Sequence, residues 1–450
     1  MLLWPLLLSL LIAYGFWQHR FEWREAQGFE PEQIARSLAS GHGYSFDPEH
    51  RWLFQGPADT TYGPTAWEEP VYPLVLAGAF AVVPAPQAKL AIVWGQAALL
   101  LATAILLYNL GSRYFGRGTG ILASFLLVIQ PHVLHLALGT LSAATATGFI
   151  VMLSATMILW SLERATLGSA ASLGGVLGLA ALTGSATLPF IPLAALLTYV
   201  RRHRLRLSGV PAVALLLLAF GAVLGPWILR NERVFGMFIP TRTGLGQIMH
   251  VGNPVLAETF VPGLSACPGK PTPPWRVKGA GAAIERSRAH TPRAQLEHRS
   301  TACIREVAPP DYARMNEAQR DRLYFSEALR FVRAHPRIAG TLAARKEFAF
   351  FYEGLKWYLR LIAVLAALGA LFAVRRPAAR ILVVMVLGYS IPYVIGVPYF
   401  DRYRYPIEPL LLLFAGCALL EIVQLGAGMV GLQTAPAEVE SVLPSPVLTR

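Results

Sequence analysis

The sequence is poor in charged side chains for its size. Charged residues make up 14% of its 450 residues, whereas hydrophobic residues make up 54%. A soluble domain usually carries about 25% charged residues, so this composition excludes an ordinary soluble globular protein. The mean hydropathy of +0.47 agrees with a polytopic membrane protein.

Lysine is scarce, although the chain is strongly basic. Only five of the 39 basic residues are lysine, and the formal net charge is +13. Such a charge could suggest nucleic-acid binding, but many of the arginines lie in short segments beside apolar runs. Arginines in that position act as orientation signals in membrane proteins. Nucleic acid is therefore not an expected partner.

Cysteine is almost absent, and the three cysteines do not have the spacing of metal ligands. Cys417 lies inside an apolar run and is expected to be a packing residue. Cys267 and Cys303 lie in one long polar segment and could form a disulfide if that segment faces an oxidising compartment. No cofactor is predicted. A divalent metal stays open, but nothing in the sequence supports one.

Ten apolar runs approach the roughly 20 residues that a helix needs to cross a bilayer. These runs are 2–17, 88–109, 118–135, 145–162, 170–184, 186–200, 209–229, 357–374, 380–397 and 407–425. Residues 70–84 are also apolar, but prolines interrupt them, and we interpret them as an interfacial or re-entrant helix. The predicted fold class is an all-α polytopic membrane protein with about ten transmembrane helices.

The arginines predict which loops share a side of the membrane. Arginine-rich turns at 113–117, 201–206 and 375–380 share one side, which the positive-inside rule makes cytoplasmic. The predicted organisation is a first transmembrane helix (1–17), a first outer loop with juxtamembrane helices (18–87), a transmembrane core (88–229), a large outer loop (230–356), C-terminal transmembrane helices (357–425) and a disordered cytoplasmic tail (426–450). In the large loop, 253–310 is predicted to be irregular, and helices are predicted over 312–334 and 337–352.

The turn at residues 401–408 concentrates charge and aromatic residues at the outer membrane surface. It reads Asp-Arg-Tyr-Arg-Tyr-Pro-Ile-Glu and lies between two apolar runs. Arg402 and Arg404, with Tyr403 between them, suit a phosphate because a guanidinium binds two oxygens at once and keeps its charge. This turn predicts a protein that handles a lipid phosphate.

Three of the carboxylates in the first outer loop are candidate site residues. Glu30 lies near the start of a short helix that Gly41 ends, where the exposed N–H groups favour a carboxylate. Spacing alone explains Glu30 as an ordinary charge at a helix N-terminus. Glu68 and Glu69 lie in a proline-rich ribbon (63–73) beside the membrane. They could face water, bind a cation or orient a sugar.

Taken in order, these segments resemble the GT-C superfamily of polytopic glycosyltransferases, in the bacterial branch of the type that includes protein mannosyltransferases and aminoarabinose transferases. The resemblance rests on the Glu30–Ser45 loop, the 64–73 ribbon, Pro226-Trp227 with Arg230-Asn231, Gly252-Asn253, the 328–336 helix and the 402–409 turn. No single segment is specific, but their order covers most of the chain.

The resemblance implies transfer of a sugar from a polyprenyl-phosphate carrier to a glycan, lipid or protein acceptor at the outer face of the cytoplasmic (inner) membrane. Glu30 occupies the position of the family's catalytic base, where many relatives carry Asp. Arg402, Tyr403, Arg404, Glu68, Glu69, Arg230 and Asn253 are the predicted donor-binding residues. Many relatives also carry an acidic residue in the stretch that reads Leu141–Thr147 here, and this chain has none there.

One base and a cationic clamp suffice for a single displacement with inversion. A retaining double displacement needs a second carboxylate, and Glu32, Glu68 or Glu69 keeps that option open. If Arg404 does not bind the donor phosphate, Arg230 or Arg242 is the alternative.

The competing interpretations are a lipid or saccharide transporter or flippase, an enzyme resembling the O-antigen ligases, and a non-catalytic scaffold with the same fold. The near absence of charge within the spans argues against transport.

Overall fold

A computed structural model of the protein describes residues 3–18, 29–46, 63–258, 261, 264–266, 291–352, 355–396 and 401–429. Within these ranges the chain is almost entirely helical. Its sheet is one antiparallel pair of two-residue strands, Ser45–Phe46 (β1) and Gly63–Pro64 (β2), in which Ser45 lies opposite Pro64. The predicted all-α class is confirmed. The tail beyond residue 429 lies outside the described residues.

The helices follow the apolar runs and the loops between them. They are α1 (Leu3–Gln18), α2 (Phe29–Ala39), α3 (Val71–Val82), α4 (Ala85–Tyr114), α5 (Arg117–Ile129), α6 (Pro131–Leu138), α7 (Ala144–Arg164), α8 (Leu167–Thr183), α9 (Phe190–Arg204), α10 (Val210–Phe235), α11 (Leu245–His250), α12 (Leu256–Glu258), α13 (Thr291–Val307), α14 (Glu317–Ala334), α15 (Pro336–Phe351), α16 (Trp357–Ala373), α17 (Pro377–Ile395), α18 (Asp401–Arg404) and α19 (Glu408–Met429). Short 3₁₀ turns cover Ser185–Thr187, Tyr312–Arg314 and Tyr405–Ile407, and a π-helix covers Val251–Val255.

Each of the ten predicted spans coincides with a helix, but fewer are long enough to cross a bilayer unaided. Five described helices are long and apolar enough to cross a bilayer. Helices α5 and α6 together are also long and apolar enough, as one span that is bent by 57°. The bend falls at Pro131, which has no N–H to continue the hydrogen bonding of α5. The protein is therefore a multi-pass membrane protein, with five or six of its described spans of full length.

Residues 70–84 form a helix that is too short to span. Helix α3 has 12 residues, which corresponds to about 18 Å, whereas the hydrocarbon core is about 30 Å thick. Its face with Tyr72, Leu76 and Ala77 is buried, while Leu74 and Val75 are exposed. This favours the interfacial or re-entrant interpretation.

Glycines allow two pairs of helices to approach until their backbones touch. A Cβ on Gly174 of α8 would lie 2.1 Å from the carbonyl oxygen of Leu216 in α10. A Cβ on Gly369 of α16 would lie 1.8 Å from the carbonyl oxygen of Phe414 in α19. Close packing through small residues is the usual source of helix association in lipid, where the hydrophobic effect does not drive it.

The arginine-rich turns lie at one end of the bundle. Arg113 pairs with Glu163 at 2.7 Å, Arg201 donates to the carbonyl of Leu162 at 2.9 Å, and Arg376 donates to the carbonyl of Phe115 at 3.1 Å. Helix α10 leaves this end after residue 206 and runs for 26 residues, about 39 Å. The outer loops therefore lie at the opposite end.

The large outer loop is more helical than predicted. The helices α14 and α15 confirm the two predicted ones, but the expectation of an irregular segment over 253–310 is wrong in part. Residues 251–258 continue as a π-helix and α12, and α13 covers Thr291–Val307. Helix α13 has weak apolar periodicity, so its pattern gave no signal; it is anchored by Cys303 and Ile304, which are buried.

Candidate active site

Helix α2 positions Glu30 at the outer end of the bundle. Ile34 and Ala35 are fully buried and fix the helix against its neighbours. Gly41 ends it with a φ of +81°, a conformation that glycine adopts without strain. Glu30 lies in the first turn and is 8% exposed, so the predicted short helix is present and holds its acid inward.

The proline-rich ribbon brings Glu68 and Glu69 to the same region. The hydroxyl of Tyr44 donates to the carbonyl of Glu68 at 2.8 Å, which ties the ribbon to the loop after α2. The backbone N–H of Ser185 donates to Glu69 Oε1 at 2.9 Å. Both carboxylates also face Arg242, at 3.9 Å for Glu68 and 3.7 Å for Glu69.

Arg402 completes this group from the far end of the sequence. It interacts electrostatically with Glu30 and Glu68. Its guanidinium lies 5.3 Å from the ring centroid of Tyr403, and that ring stacks on Tyr393 at 4.9 Å. We call Glu30, Glu68, Glu69, Arg242 and Arg402 the charged cluster. Segments from both outer loops and from the 401–408 turn meet there.

Burial and neighbouring charge shift the pKa values of three ionisable groups of the charged cluster, Glu68, Arg242 and Arg402, and all three shifts are upward. Burial raises the pKa of Glu68 to about 7, with Glu69 and Glu30 acting in the same direction and Arg242 and Arg402 opposing them. Burial acts to lower the pKa of Arg242, but Glu68 and Glu69 outweigh it and the net shift is upward. Arg242 therefore stays charged at neutral pH, whereas Glu68 titrates at a higher pH than an exposed glutamate.

Arg404 is directed away from the charged cluster. It is 1% exposed, pairs with the buried Glu408 at 3.0 Å and donates to the carbonyls of Phe351 and Leu359, each at 3.3 Å. These contacts give Arg404 a structural role in the described part of the chain. Its predicted contact with a phosphate stays a prediction, and the geometry favours Arg402 for it.

Arg230 also serves the scaffold. It donates to the backbone carbonyls of Thr65 at 2.7 Å and Tyr44 at 2.8 Å, so it joins the ribbon to the loop after α2. The rings of Trp227, Tyr44 and Phe235 surround its guanidinium at 5.1–5.6 Å. Cation–π contacts of this kind hold an arginine in place.

Asn253 connects the π-helix to the end of α17 by hydrogen bonds. Its amide donates to the carbonyls of Met249 at 2.8 Å and Ile395 at 2.9 Å. Lys346, which is 1% exposed, donates to Asn253 Oδ1 at 3.4 Å and to the carbonyls of Gly252 and Gly396 at 3.1 Å. The predicted donor-binding role of Asn253 is untested; the observed contacts are structural.

The same arrangement of helices occurs in solved glycosyltransferases. The chain aligns with the Archaeoglobus fulgidus oligosaccharyltransferase, in a structure with Zn and sulfate, at a TM-score of 0.51 and 12% identity, covering 95% of this chain and 50% of that one. The structure of AglB from the same organism, with an inhibitory peptide and a dolichol-phosphate, aligns at 0.51 and 13%, covering 96% and 52%. This chain has the GT-C fold. It spans about half the length of these oligosaccharyltransferases.

A third GT-C structure, ArnT from Cupriavidus metallidurans bound to undecaprenyl phosphate, aligns at a TM-score of 0.39 and 14% identity over 90% of this chain and 77% of that one. That score is too low to add to the fold assignment. No protein-family model and no curated protein matches the sequence.

Sequence reasoning did not find Glu317, which links the two outer loops of this GT-C fold. Its carboxylate accepts from the hydroxyl of Thr65 at 2.6 Å, from the N–H of Ala66 at 3.1 Å and from the hydroxyl of Thr243. Burial raises the pKa of Glu317, and those three donors oppose the shift. It holds the ribbon beside the segment that carries Arg242. The only sequence signal was a carboxylate in the first turn of a helix, which is common.

The described residues also bear on the possible metal site and the predicted disulfide. Among the described residues no three His, Cys, Asp or Glu side chains are grouped to hold a metal ion. Cys417 is a free, buried thiol, and Cys303 is disulfide-bonded. Cys267, its predicted partner, lies outside the described residues.

Residues 141–147 contain no acidic residue, but Glu69 lies nearby. Thr147 packs on Gly184, and the N–H of the next residue, Ser185, donates to the Glu69 carboxylate.

Proposed function

We propose that this protein is a membrane glycosyltransferase that moves a sugar from a polyprenyl-phosphate carrier to an acceptor hydroxyl at the outer face of the cytoplasmic membrane. One observation carries the proposal: Glu30, near the start of the chain, interacts with Arg402, near its end, in a cluster that also contains Arg242. A base and two guanidiniums at one membrane surface are the groups that this reaction needs.

The reaction divides between these groups. The acceptor oxygen attacks the anomeric carbon of the sugar while Glu30 takes the hydroxyl proton. The bond between that carbon and the phosphate oxygen breaks, and the phosphate leaves with the electron pair. Arg402 and Arg242 stabilise the developing negative charge, which is often the largest single contribution in such sites. A single displacement inverts the anomeric configuration.

The positions of Glu32 and Glu69 support inversion. Glu32 pairs with Arg36 at 2.7 Å and with Lys89 at 3.5 Å, and Glu69 binds Ser185 and Arg242. A nucleophilic carboxylate must reach the anomeric carbon, and these two are already engaged. The charges also gather at one end of the bundle, which favours chemistry at the interface over transport through the membrane.

Glu30→Gln tests the base. Transfer from glycosyl undecaprenyl phosphate should fall about 10²- to 10⁴-fold in the reconstituted protein, which is the usual contribution of a positioned general base. Donor binding and thermal unfolding should stay near wild type. Glu327→Gln is the matched control, because Glu327 pairs with the exposed Arg330 on the surface of α14. Near-normal turnover by Glu30→Gln would remove Glu30 from the mechanism.

A further inference from the structure

Glu68 differs from its neighbour Glu69 in how its carboxylate is held. Glu69 accepts a hydrogen bond from Ser185 and is 8% exposed. Glu68 is 16% exposed, and within the described ranges its side chain meets Arg242 at 3.9 Å and accepts no hydrogen bond. The Glu68 side chain is therefore partly exposed, and no hydrogen bond from the described residues occupies its carboxylate.

The charge balance of the charged cluster favours a neutral Glu68. Three carboxylates outnumber two guanidiniums, so the fully ionised cluster would carry a net negative charge. Such a site would repel a phosphate. If Glu68 is protonated, Glu30 and Glu69 balance Arg242 and Arg402, and an anion can bind without a like charge opposing it.

We propose that Glu68 binds the donor as a neutral carboxylic acid and donates a hydrogen bond to a hydroxyl of the transferred sugar. This inference rests on the proposed function and assigns one residue to recognition of the sugar. A protonated carboxyl differs from the ionised form in having an O–H to donate. Glu30, by contrast, must be ionised to accept a proton.

The electrostatic environment supports this division. The groups that act on Glu68 are Glu69 on the ribbon, Tyr44 after α2, Glu30 in α2, Arg242 in the large outer loop and Arg402 in the 401–408 turn. Burial is the largest influence and raises the pKa of Glu68 to about 7. A bound phosphate adds negative charge and raises that pKa further, so donor binding is coupled to proton uptake.

Equilibrium binding at pH 6 and pH 9 tests the proposal. The probes are glucosyl and arabinosyl undecaprenyl phosphate, whose phosphodiester does not titrate in this range, and bare undecaprenyl phosphate. The full chain is reconstituted in nanodiscs as wild type, Glu68→Gln and Glu327→Gln. The Gln side chain imitates the neutral acid, because its amide still donates a hydrogen bond.

Wild type and Glu327→Gln should bind at least one glycosylated probe about three- to tenfold more weakly at pH 9 than at pH 6, because the ionised Glu68 no longer donates to the sugar and its charge opposes the phosphate. Glu68→Gln should bind that probe equally at both values. At pH 8, wild type should take up protons on binding it, and Glu68→Gln should not. At pH 6, where the side chain at position 68 is neutral in both proteins, they should bind bare undecaprenyl phosphate alike.

Three results would overturn the inference: the same pH dependence in Glu68→Gln as in wild type, loss of binding in Glu68→Gln at pH 6, or an equal effect of this substitution on the bare carrier at that pH. If Glu68→Gln does not fold, Glu68→Asp replaces it and should keep the pH dependence; a pH-independent Glu68→Asp contradicts the inference. Failure of wild type to bind either glycosylated probe would instead overturn the proposed function, and the inference with it.

Discussion

Arg402 and Arg404 lie two residues apart, yet they belong to two different charged regions. Arg402 belongs to the charged cluster, which draws on both outer loops. Arg404 is buried with Glu408 and two carbonyl groups, in a region that is closed to solvent. The difference teaches that charge near a membrane surface does not by itself indicate chemistry. What distinguishes the two is that Arg404 is enclosed with one buried ionic partner, whereas Arg402 lies in a cluster of several charges.

Arg404→Ala should have the largest effect on stability. It leaves the buried Glu408 without its partner, and breaking a buried pair in this way typically costs about 3–5 kcal/mol. The measurement is thermal unfolding in detergent, followed by circular dichroism. The double variant Arg404→Met with Glu408→Leu removes both charges and should recover much of the loss. A stable Arg404→Ala protein with weak donor binding would reverse the assignment and restore Arg404 to the clamp.

Arg402→Ala should affect donor binding more than stability, the opposite of Arg404→Ala. Loss of a charged hydrogen-bonding partner for the phosphate should weaken donor binding about 10- to 100-fold, corresponding to about 1.5–3 kcal/mol. Unfolding should change less than in Arg404→Ala, because Glu68 is partly exposed and keeps Arg242 as a partner. Binding of bare undecaprenyl phosphate is the measurement, with Arg330→Ala on the exposed face of α14 as the control. Unchanged affinity would place the clamp at Arg242 alone.

Glu317→Gln should have the smallest of these effects and should test the connection between the outer loops. Gln keeps one acceptor oxygen for the three donors that Glu317 now serves, so about 1 kcal/mol of stability should be lost. Because Glu317 holds the ribbon with Glu68 and Glu69 beside the segment that carries Arg242, donor affinity and kcat should both fall. Glu317→Asp, which keeps the charge on a shorter side chain, should recover part of kcat. If kcat stays at the wild-type value, the contacts of Glu317 do not position the charged cluster.

The sequence predicted the helices and the segments that form the charged cluster, because both are local signals. Apolar runs mark the spans, and carboxylates beside prolines or at a helix start mark Glu30, Glu68 and Glu69. The sequence could also have separated Arg402 from Arg404. In a helical turn, side chains two residues apart leave opposite sides, whereas Arg404 and Glu408 are four apart and share a face.

Other residues could not be found in this way. Glu317 binds Thr65, Ala66 and Thr243, and Lys346 binds carbonyl groups of the π-helix and of the end of α17. These partners are distant along the chain, and a backbone carbonyl carries no residue-specific signal. Such contacts follow from tertiary packing, and only the folded structure reveals them.

The separation of Glu30 and Arg402 along the chain has a consequence for biosynthesis. The ribosome makes the proposed base first, and the Arg402 guanidinium that faces it follows only after all but the last described span has been made. A nascent chain halted before that point holds the acid beside Arg242 but lacks Arg402. We therefore expect the emerging polypeptide to be inert towards lipid-linked sugars until the turn at 401–408 has been made.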